Sequence, residues 1–289
     1  MKIAFITLAM TLVTLFAPAQ SVYEPRIRPD VWSKRYEPFR IAGNLYYVGT
    51  YDLACYLITT SKGNILINTG LASSASVIQE NIVALGFQVS DIKILLTTQA
   101  HYDHVGAMAA IKNTARGVMM VNEKDADVLN NGGISDYALG GNGRTFQPVR
   151  PDRLLKDREV IELGDMKVVM LHHPGHTKGS SSFIFDVKDK KRTYKVLIAN
   201  MPTIITDKKL SAVPGYPNIA EDYAYTLDAM KKLTFDIWLS SHASEFGLHS
   251  KREPDDAYNP AAFIDREGYD AELNALQRIF DERVAEQEN

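Results

Sequence analysis

The sequence predicts an α/β fold in which two β-sheets pack face to face with helices outside. Three observations lead there. Short apolar runs separated by Gly- and Ser-containing turns precede an amphipathic helix, and the same order recurs in the second half. No Pro/Ser-rich linker divides the halves. The 289 residues are 45% hydrophobic and 23% charged, enough apolar material for a sizeable core. The expected organisation is a signal at 1–19 followed by one domain over 20–289, with similar halves at roughly 41–150 and 151–289.

The start of the chain carries the secretory pattern. Met1-Lys2 is positive, Ile3 to Phe16 is almost wholly apolar, and Ala17-Pro18-Ala19 places small residues where a signal peptidase reads. Cleavage is expected near Ala19 or Gln20, and the product is expected to be secreted and periplasmic. The run is short for a bilayer span of about 20 residues. No later stretch approaches that length, so no membrane span is expected after cleavage. Cys55 is the only cysteine, which excludes an intramolecular disulfide. Within Leu53-Ala54-Cys55-Tyr56-Leu57-Ile58 it reads as a small buried hydrophobe.

Ser21 to Arg40, rich in proline and charge, reads as an irregular arm. Strands are expected at Leu45 to Val48, Cys55 to Ile58 and Ile65 to Ile67. The next helix has Ser73 or Ser74 as its cap, Ile78, Ile82 and Leu85 on one face, and Gly86 as its stop. Ile92 to Leu96 reads as a buried strand delivering the chain to Gln99, and a helix is expected from His104 to about Lys112. Asn131 to Arg144, rich in Gly and Asn, reads as a mobile surface loop. A hairpin is expected over Val160 to Leu171 around Gly164-Asp165, and a second strand pair at Ser182 to Val187 and Tyr194 to Ala199. A helix from about Glu221 to Leu233, a strand from Phe235 to Ser240 and an amphipathic helix from Asp270 to Val284 follow.

The formal net charge of -3 and the lack of any Lys/Arg run point away from nucleic acid and from a charged membrane surface. The histidines are more informative. Of seven, His101 and His104 share one segment, His172, His173 and His176 another, and His242 follows an expected strand, while His249 stands apart. Each of the three segments lies just beyond an apolar run, where loops can bring distant side chains to one point. In an extended segment Gln99, His101 and Asp103 alternate to one side while His104 steps aside, so one stretch can serve two adjacent ions. Imidazole and carboxylate suit zinc, and catalytic sites keep a position open for water.

The run Thr97-Thr98-Gln99-Ala100-His101-Tyr102-Asp103-His104-Val105-Gly106 resembles the HxHxDH signature of the metallo-β-lactamase superfamily, with its first histidine replaced. Pro174-Gly175-His176-Thr177-Lys178-Gly179-Ser180 resembles the second metal motif of that superfamily and Ser241-His242 the last, so the likeness runs from Ile41 to His242. Within it the chain is similar to the third subclass of class B β-lactamases, in particular the GOB type, which carries glutamine at the first histidine position. Glu37 to Thr50 and Leu171 to His176 share that likeness.

The resemblance implies an αβ/βα four-layer sandwich holding two zinc ions, one on Gln99, His101 and His176 and the other on Asp103, His104 and His242. It implies hydrolysis of the β-lactam amide of penicillins, cephalosporins and carbapenems by attack of zinc-bound hydroxide, with Asp103 as the catalytic, orienting residue. Antibiotic resistance would follow. Gln99 offers a neutral amide oxygen, so its site is expected to bind zinc the more weakly. His172, His173 and His249 match no ligand position. Asn68 stands where most of the superfamily has aspartate, and Met201 where many relatives have a serine near the substrate carboxylate, with Thr203 as a nearby hydroxyl. Met201 and Thr203 are therefore candidate substrate contacts. A monomer is expected.

Two other functions compete. A lactonase or thioester hydrolase of the same superfamily would have a metal-bridging aspartate between the second motif and the last histidine, and Leu197-Ile198-Ala199-Asn200-Met201-Pro202 contains none, with Asp207 too far along. A secreted metal-binding protein without catalysis would fit the replaced ligand at Gln99, but the other five candidate ligands are all of suitable type. A serine β-lactamase is excluded, because no Ser-x-x-Lys is joined by the partner motifs such enzymes need.

Overall fold

The computed structural model describes residues 21–26 and 28–286, so the expected signal at 1–19 lies outside the described residues. A seven-stranded sheet comes first. It comprises β1 (Phe39–Ala42), β2 (Leu45–Tyr47), β3 (Tyr56–Thr60), β4 (Gly63–Ile67), β5 (Ile92–Leu96), β6 (Val118–Asn122) and β7 (Arg153–Leu155), side by side in chain order. From β1 to β4 the pairing is antiparallel, and from β4 to β7 it is parallel. The parallel connections carry α1 (Ala75–Ala84), then α2 (Tyr102–Val105) and α3 (Met108–Ala115), then α4 (Ala126–Asn131).

The second sheet has five strands in the order β8 (Val160–Leu163), β9 (Met166–His172), β10 (Ser181–Lys188), β11 (Thr193–Ala199) and β12 (Ile237–Ser240). It is antiparallel until β12 joins β11 in parallel, after the crossover through α5 (Ile219–Lys231). The short α6 (Leu248–Lys251) and the long α7 (Arg266–Ala285) follow.

Side-chain alternation explains the layering. Ile65 and Ile67 of β4 and Ile94 and Leu96 of β5 share a core with Val168, Met170, Phe183 and Phe185 of the second sheet. Leu66 and Leu95, pointing to the opposite face, pack with Ile78 and Ile82 of α1 and Ile111 of α3. Both faces of these strands are buried, which is why they read as unbroken apolar runs. On the outer side of the second sheet, the Trp238 ring lies 5.4 Å from that of Tyr269 in α7.

Several boundaries differ from expectation. The first strand begins at Phe39 within the supposed irregular arm, where its ring stacks on Tyr47 at 5.4 Å. β6, α4 and β7, each short, carry too little periodicity to be read. The single helix expected after His104 is two, α2 and α3, separated at Gly106. A Cβ there would collide with Ala72 N and Leu71 C, so this backbone approach is open only to glycine. Ser74 occupies the N-cap position of α1, yet its hydroxyl makes no capping bond. Cys55 is buried as expected, and burial pushes its thiol far above the ordinary range.

Candidate metal centre

The segments following β4, β5, β9, β11 and β12 meet at one end of the sandwich. Asn68, just past β4, has φ 63°, a left-handed conformation that asparagine tolerates better than most residues. Its Oδ1 accepts from Thr98 N at 2.9 Å and from Thr97 Oγ1 at 3.1 Å, fixing the chain as it leaves β5. Ser241, past β12, donates to Thr98 Oγ1 at 2.9 Å. Asp125, buried, accepts from Ala100 N at 2.9 Å, Thr177 Oγ1 at 2.8 Å and Gly179 N at 2.7 Å. One carboxylate thus ties the Gln99–His104 stretch to the His176 stretch. It was not legible in the sequence, because a lone aspartate in a loop has no spacing signal.

The expected alternation from Gln99 to Asp103 does not persist. His101 is extended, with φ -97° and ψ 155°, but Tyr102 to Val105 turn into α2. The helical turn sends Asp103 and His104 away from His101 and into a different cluster.

In the first cluster His101 Nδ1 lies 3.2 Å from His176 Nε2, both side chains buried. The far nitrogen of each ring is engaged. His101 Nε2 is 3.1 Å from Asp136 Oδ2, and His176 Nδ1 is 2.8 Å from the carbonyl oxygen of Thr203. A carbonyl can only accept, so His176 carries its proton on Nδ1 and turns a lone pair inward. A carboxylate prefers the N–H of His101 Nε2 and leaves the lone pair of Nδ1 facing the same point. Burial and the adjacent His101 hold His176 at about 3. Burial lowers His101 too, but the Asp136 carboxylate outweighs it and raises the ring. Asp136 itself is brought down to about 2, with burial opposing and His101 and two backbone amides prevailing. Gln99 is buried nearby in sequence, and its Oε1 has no hydrogen-bond partner.

In the second cluster ligand-type atoms of Asp103, His104 and His242 all lie within 4.8 Å of one another. Asp103 Oδ2 is 3.2 Å from His104 Nε2 and 3.4 Å from His242 Nε2. His104 is fully buried, with Nε2 facing the Asp103 carboxylate and Nδ1 without a hydrogen-bond partner. Burial works against ionisation of Asp103, but His104 and His242 hold its carboxyl well below the usual range. His242 is raised well above its ordinary value: burial opposes, and Asp103 and Asp52 win.

These are the properties of cation sites. Among the described residues, the orphaned Oε1 of Gln99 and Nδ1 of His104 have no hydrogen-bond partner, the lone pairs of His101 and His176 turn toward one another, and the buried, ionised carboxylate of Asp103 is met by the imidazoles of His104 and His242. The donor set of imidazole, carboxylate and amide oxygen fits zinc.

Comparison with known proteins agrees with this chemistry. Residues 49–189 match the family model described as the metallo-beta-lactamase superfamily. The class B3 di-zinc metallo-β-lactamase LRA-12 from an Alaskan soil metagenome is 62% identical, covering 91% of this chain and 100% of that one, with a TM-score of 0.90. The chain belongs to the class B3 metallo-β-lactamases. The metallo-β-lactamase GOB-18 from Elizabethkingia meningoseptica is 58% identical, covering 93% of this chain and 99% of that one, with a TM-score of 0.92. Among curated relatives, an acyl-coenzyme A thioesterase from Gallus gallus is 27% identical over 173 residues, 53% of this chain and 57% of the thioesterase. The metallo-β-lactamase chain therefore spans little more than half of that relative's length.

The remaining candidates of this metallo-β-lactamase fall into place around the clusters. Thr203 is partly exposed and faces His176, with its hydroxyl 2.9 Å from Nδ1. Met201 is buried within the hydrophobic core rather than presented to solvent. His172 Nε2 lies 2.8 Å from Lys178 O, His173 Nδ1 2.7 Å from Ser182 Oγ, and His249 Nε2 2.8 Å from Tyr51 O, so each is taken up by the fold. The stretch from Asn131 to Arg144, expected to be a mobile surface loop, is exposed at Ile134, Ser135 and Gly141 to Gly143, and it also delivers the buried Asp136 to His101 and the Tyr137 hydroxyl to His176 O at 3.0 Å.

Proposed function

We propose that this chain is a zinc-dependent β-lactamase that opens the β-lactam amide of penicillins, cephalosporins and carbapenems and so confers antibiotic resistance. The observation that carries the reading is 62% identity over the whole length of a di-zinc metallo-β-lactamase. The convergence of unpaired acceptors in two adjacent clusters supports it further. Gln99, His101 and His176 would hold one zinc ion, and Asp103, His104 and His242 the other. Bound zinc supplies Lewis acidity, which polarises a carbonyl and makes hydroxide accessible at about neutral pH.

The chain's own groups then have distinct tasks. Asp103, ionised in a buried setting, accepts a hydrogen bond from the attacking water and fixes its direction. The Thr203 carbonyl holds the His176 tautomer, and the Thr203 hydroxyl at the rim is the side-chain donor available to a substrate carboxylate. Met201, enclosed in the core, cannot donate a hydrogen bond to substrate. Thioester hydrolysis has less support, because the stretch from Leu197 to Pro202 lacks a bridging carboxylate. Secretion to the periplasm and a monomeric state belong to the same reading. The first rests on the pattern from Met1 to Ala19, and among the described residues no helix is long and apolar enough to cross a membrane.

The test is hydrolysis of a chromogenic cephalosporin by purified protein, with and without a chelator. Turnover lost to chelator and restored by zinc is expected. No turnover in zinc-replete buffer would overturn the reading in favour of a non-catalytic metal-binding protein.

A further inference from the structure

The segment from Gly132 to Arg144 has the composition of a flexible linker but the bonding of a rigid bracket. Asp136 Oδ1 accepts from Ala138 N at 2.9 Å and Leu139 N at 2.7 Å, so this carboxylate is clamped by its own loop. The loop closes on itself through Asp136 N to Gly133 O and Gly140 N to Asp136 O, both 3.1 Å. Asn131 adds a side-chain bond to Ser135 Oγ at 2.7 Å. The glycines are what permit this. A Cβ on Gly140 would overlap the carbonyl oxygens of Asp136 and Ile134, and one on Gly133 would overlap the Thr145 hydroxyl. With Oδ1 occupied, Oδ2 has one partner, His101 Nε2 at 3.1 Å, and both side chains are 3% exposed.

We infer that Asp136 is a positioning residue for the first metal: its clamped Oδ2 accepts a hydrogen bond from His101 Nε2–H and so leaves a basic Nδ1 beside His176. The inference rests on the proposed ligand set of Gln99, His101 and His176. It gives the loop a function that its composition conceals. It also answers the weakness of Gln99. A neutral amide oxygen contributes less to zinc than an imidazole does, and a carboxylate behind His101 raises the donor strength of a ligand that remains. Asp52 stands behind His242 in the second cluster in the same manner. Each metal then has one histidine backed by a carboxylate from a loop outside the three motifs.

Asp136→Asn is the informative variant. The amide oxygen can keep the two bonds from Ala138 N and Leu139 N, while its NH2 replaces the acceptor facing His101. His101 Nε2 must then accept, and the ring proton moves to Nδ1, where it blocks coordination. The experiment is competition of the zinc-loaded protein against a chromophoric chelator, together with 15N NMR of the histidine rings. Affinity for one of the two zinc ions is expected to fall about 10–100-fold with the other unchanged. The His101 ring is expected to switch tautomer, which a purely structural role for Asp136 would not produce. In a Gln99→His background the loss is expected to be smaller, because the added imidazole relieves the dependence on His101. Equal loss of both zinc ions, or unchanged affinity with the tautomer retained, overturns the inference. A His101→Ala control that still binds two zinc ions would instead overturn the ligand set beneath it.

Discussion

The Oδ2 atom of Asp52 lies 3.2 Å from His242 Nδ1, a contact between the loop that joins β2 to β3 and the segment that follows β12. The same oxygen accepts from Trp32 Nε1 at 3.0 Å, and Oδ1 accepts from Ser244 N at 2.9 Å. Although burial opposes it, the His242 contact helps bring this carboxyl down to about 2. With Nδ1–H donating a hydrogen bond to Asp52, His242 turns Nε2 toward Asp103. Trp32 extends the arrangement into the N-terminal arm, its ring 5.4 Å from that of His242.

Asp52→Ala should therefore weaken one zinc ion selectively, by about 10–100-fold. Trp32→Phe, which removes one of three bonds to the carboxylate but keeps an aromatic ring, should have a smaller effect. Zinc competition titrations of the two variants would check the order. Equal effects would mean that the ring, not its N–H, supports the site.

Asp103→Ala removes the carboxylate shared by His104 and His242. Loss of turnover by several orders of magnitude is expected, with release of the second zinc ion. Full activity with that ion still bound would show that the proposed orienting role is wrong. Steady-state turnover and zinc stoichiometry measured on one sample decide the matter.

Gln99→His exchanges an amide oxygen for an imidazole nitrogen at the proposed first zinc site. Zinc affinity there should rise, and the two binding steps of the parent chain should draw closer together. Calorimetric zinc titration of both proteins would show it. Parent sites of equal affinity would count against a weaker Gln99 site.

His173 offers a pH test away from the proposed metal ligands. Burial holds its ring at about 4, against an ordinary 6.5, with Nδ1 on Ser182 Oγ. Between those values the unfolded chain binds a proton that the folded chain does not, so stability rises with pH there. As pH falls from 6.5 towards 4, this group alone should remove about 3 kcal/mol of folding stability. Urea unfolding of metal-free protein across that range should slope accordingly, and His173→Gln should flatten the slope. An unchanged slope in the variant would contradict the assignment.

Asn68→Ala breaks the bonds to Thr97 and Thr98 and forces a left-handed backbone on alanine. A cost of about 2–4 kcal/mol is expected from the αL strain and the lost hydrogen bonds together. Activity should fall as well, because Thr98 sets the direction of the chain into Gln99. Thermal unfolding beside turnover would separate the two effects.

The sequence by itself determined the strand–helix alternation, the layered α/β class and the three histidine-bearing segments. Those features are local: burial on both faces imposes an apolar run, and ligand chemistry imposes residue types at short spacings. It did not show that Tyr102 begins a helix, the local turn that parts His101 from Asp103 between the two ligand sets the motif resemblance implied. Nor did it show Asp52, Asp125 or Asp136, each a single carboxylate in a loop whose meaning depends on what lies across the fold. The glycines from Gly132 to Gly143 read as freedom, yet in the folded chain Gly132 and Gly140 lie where neighbouring backbone approaches too closely for a side chain. Only the tertiary structure decided these points, because which histidine a carboxylate serves is set by distance in space and leaves no period in the chain.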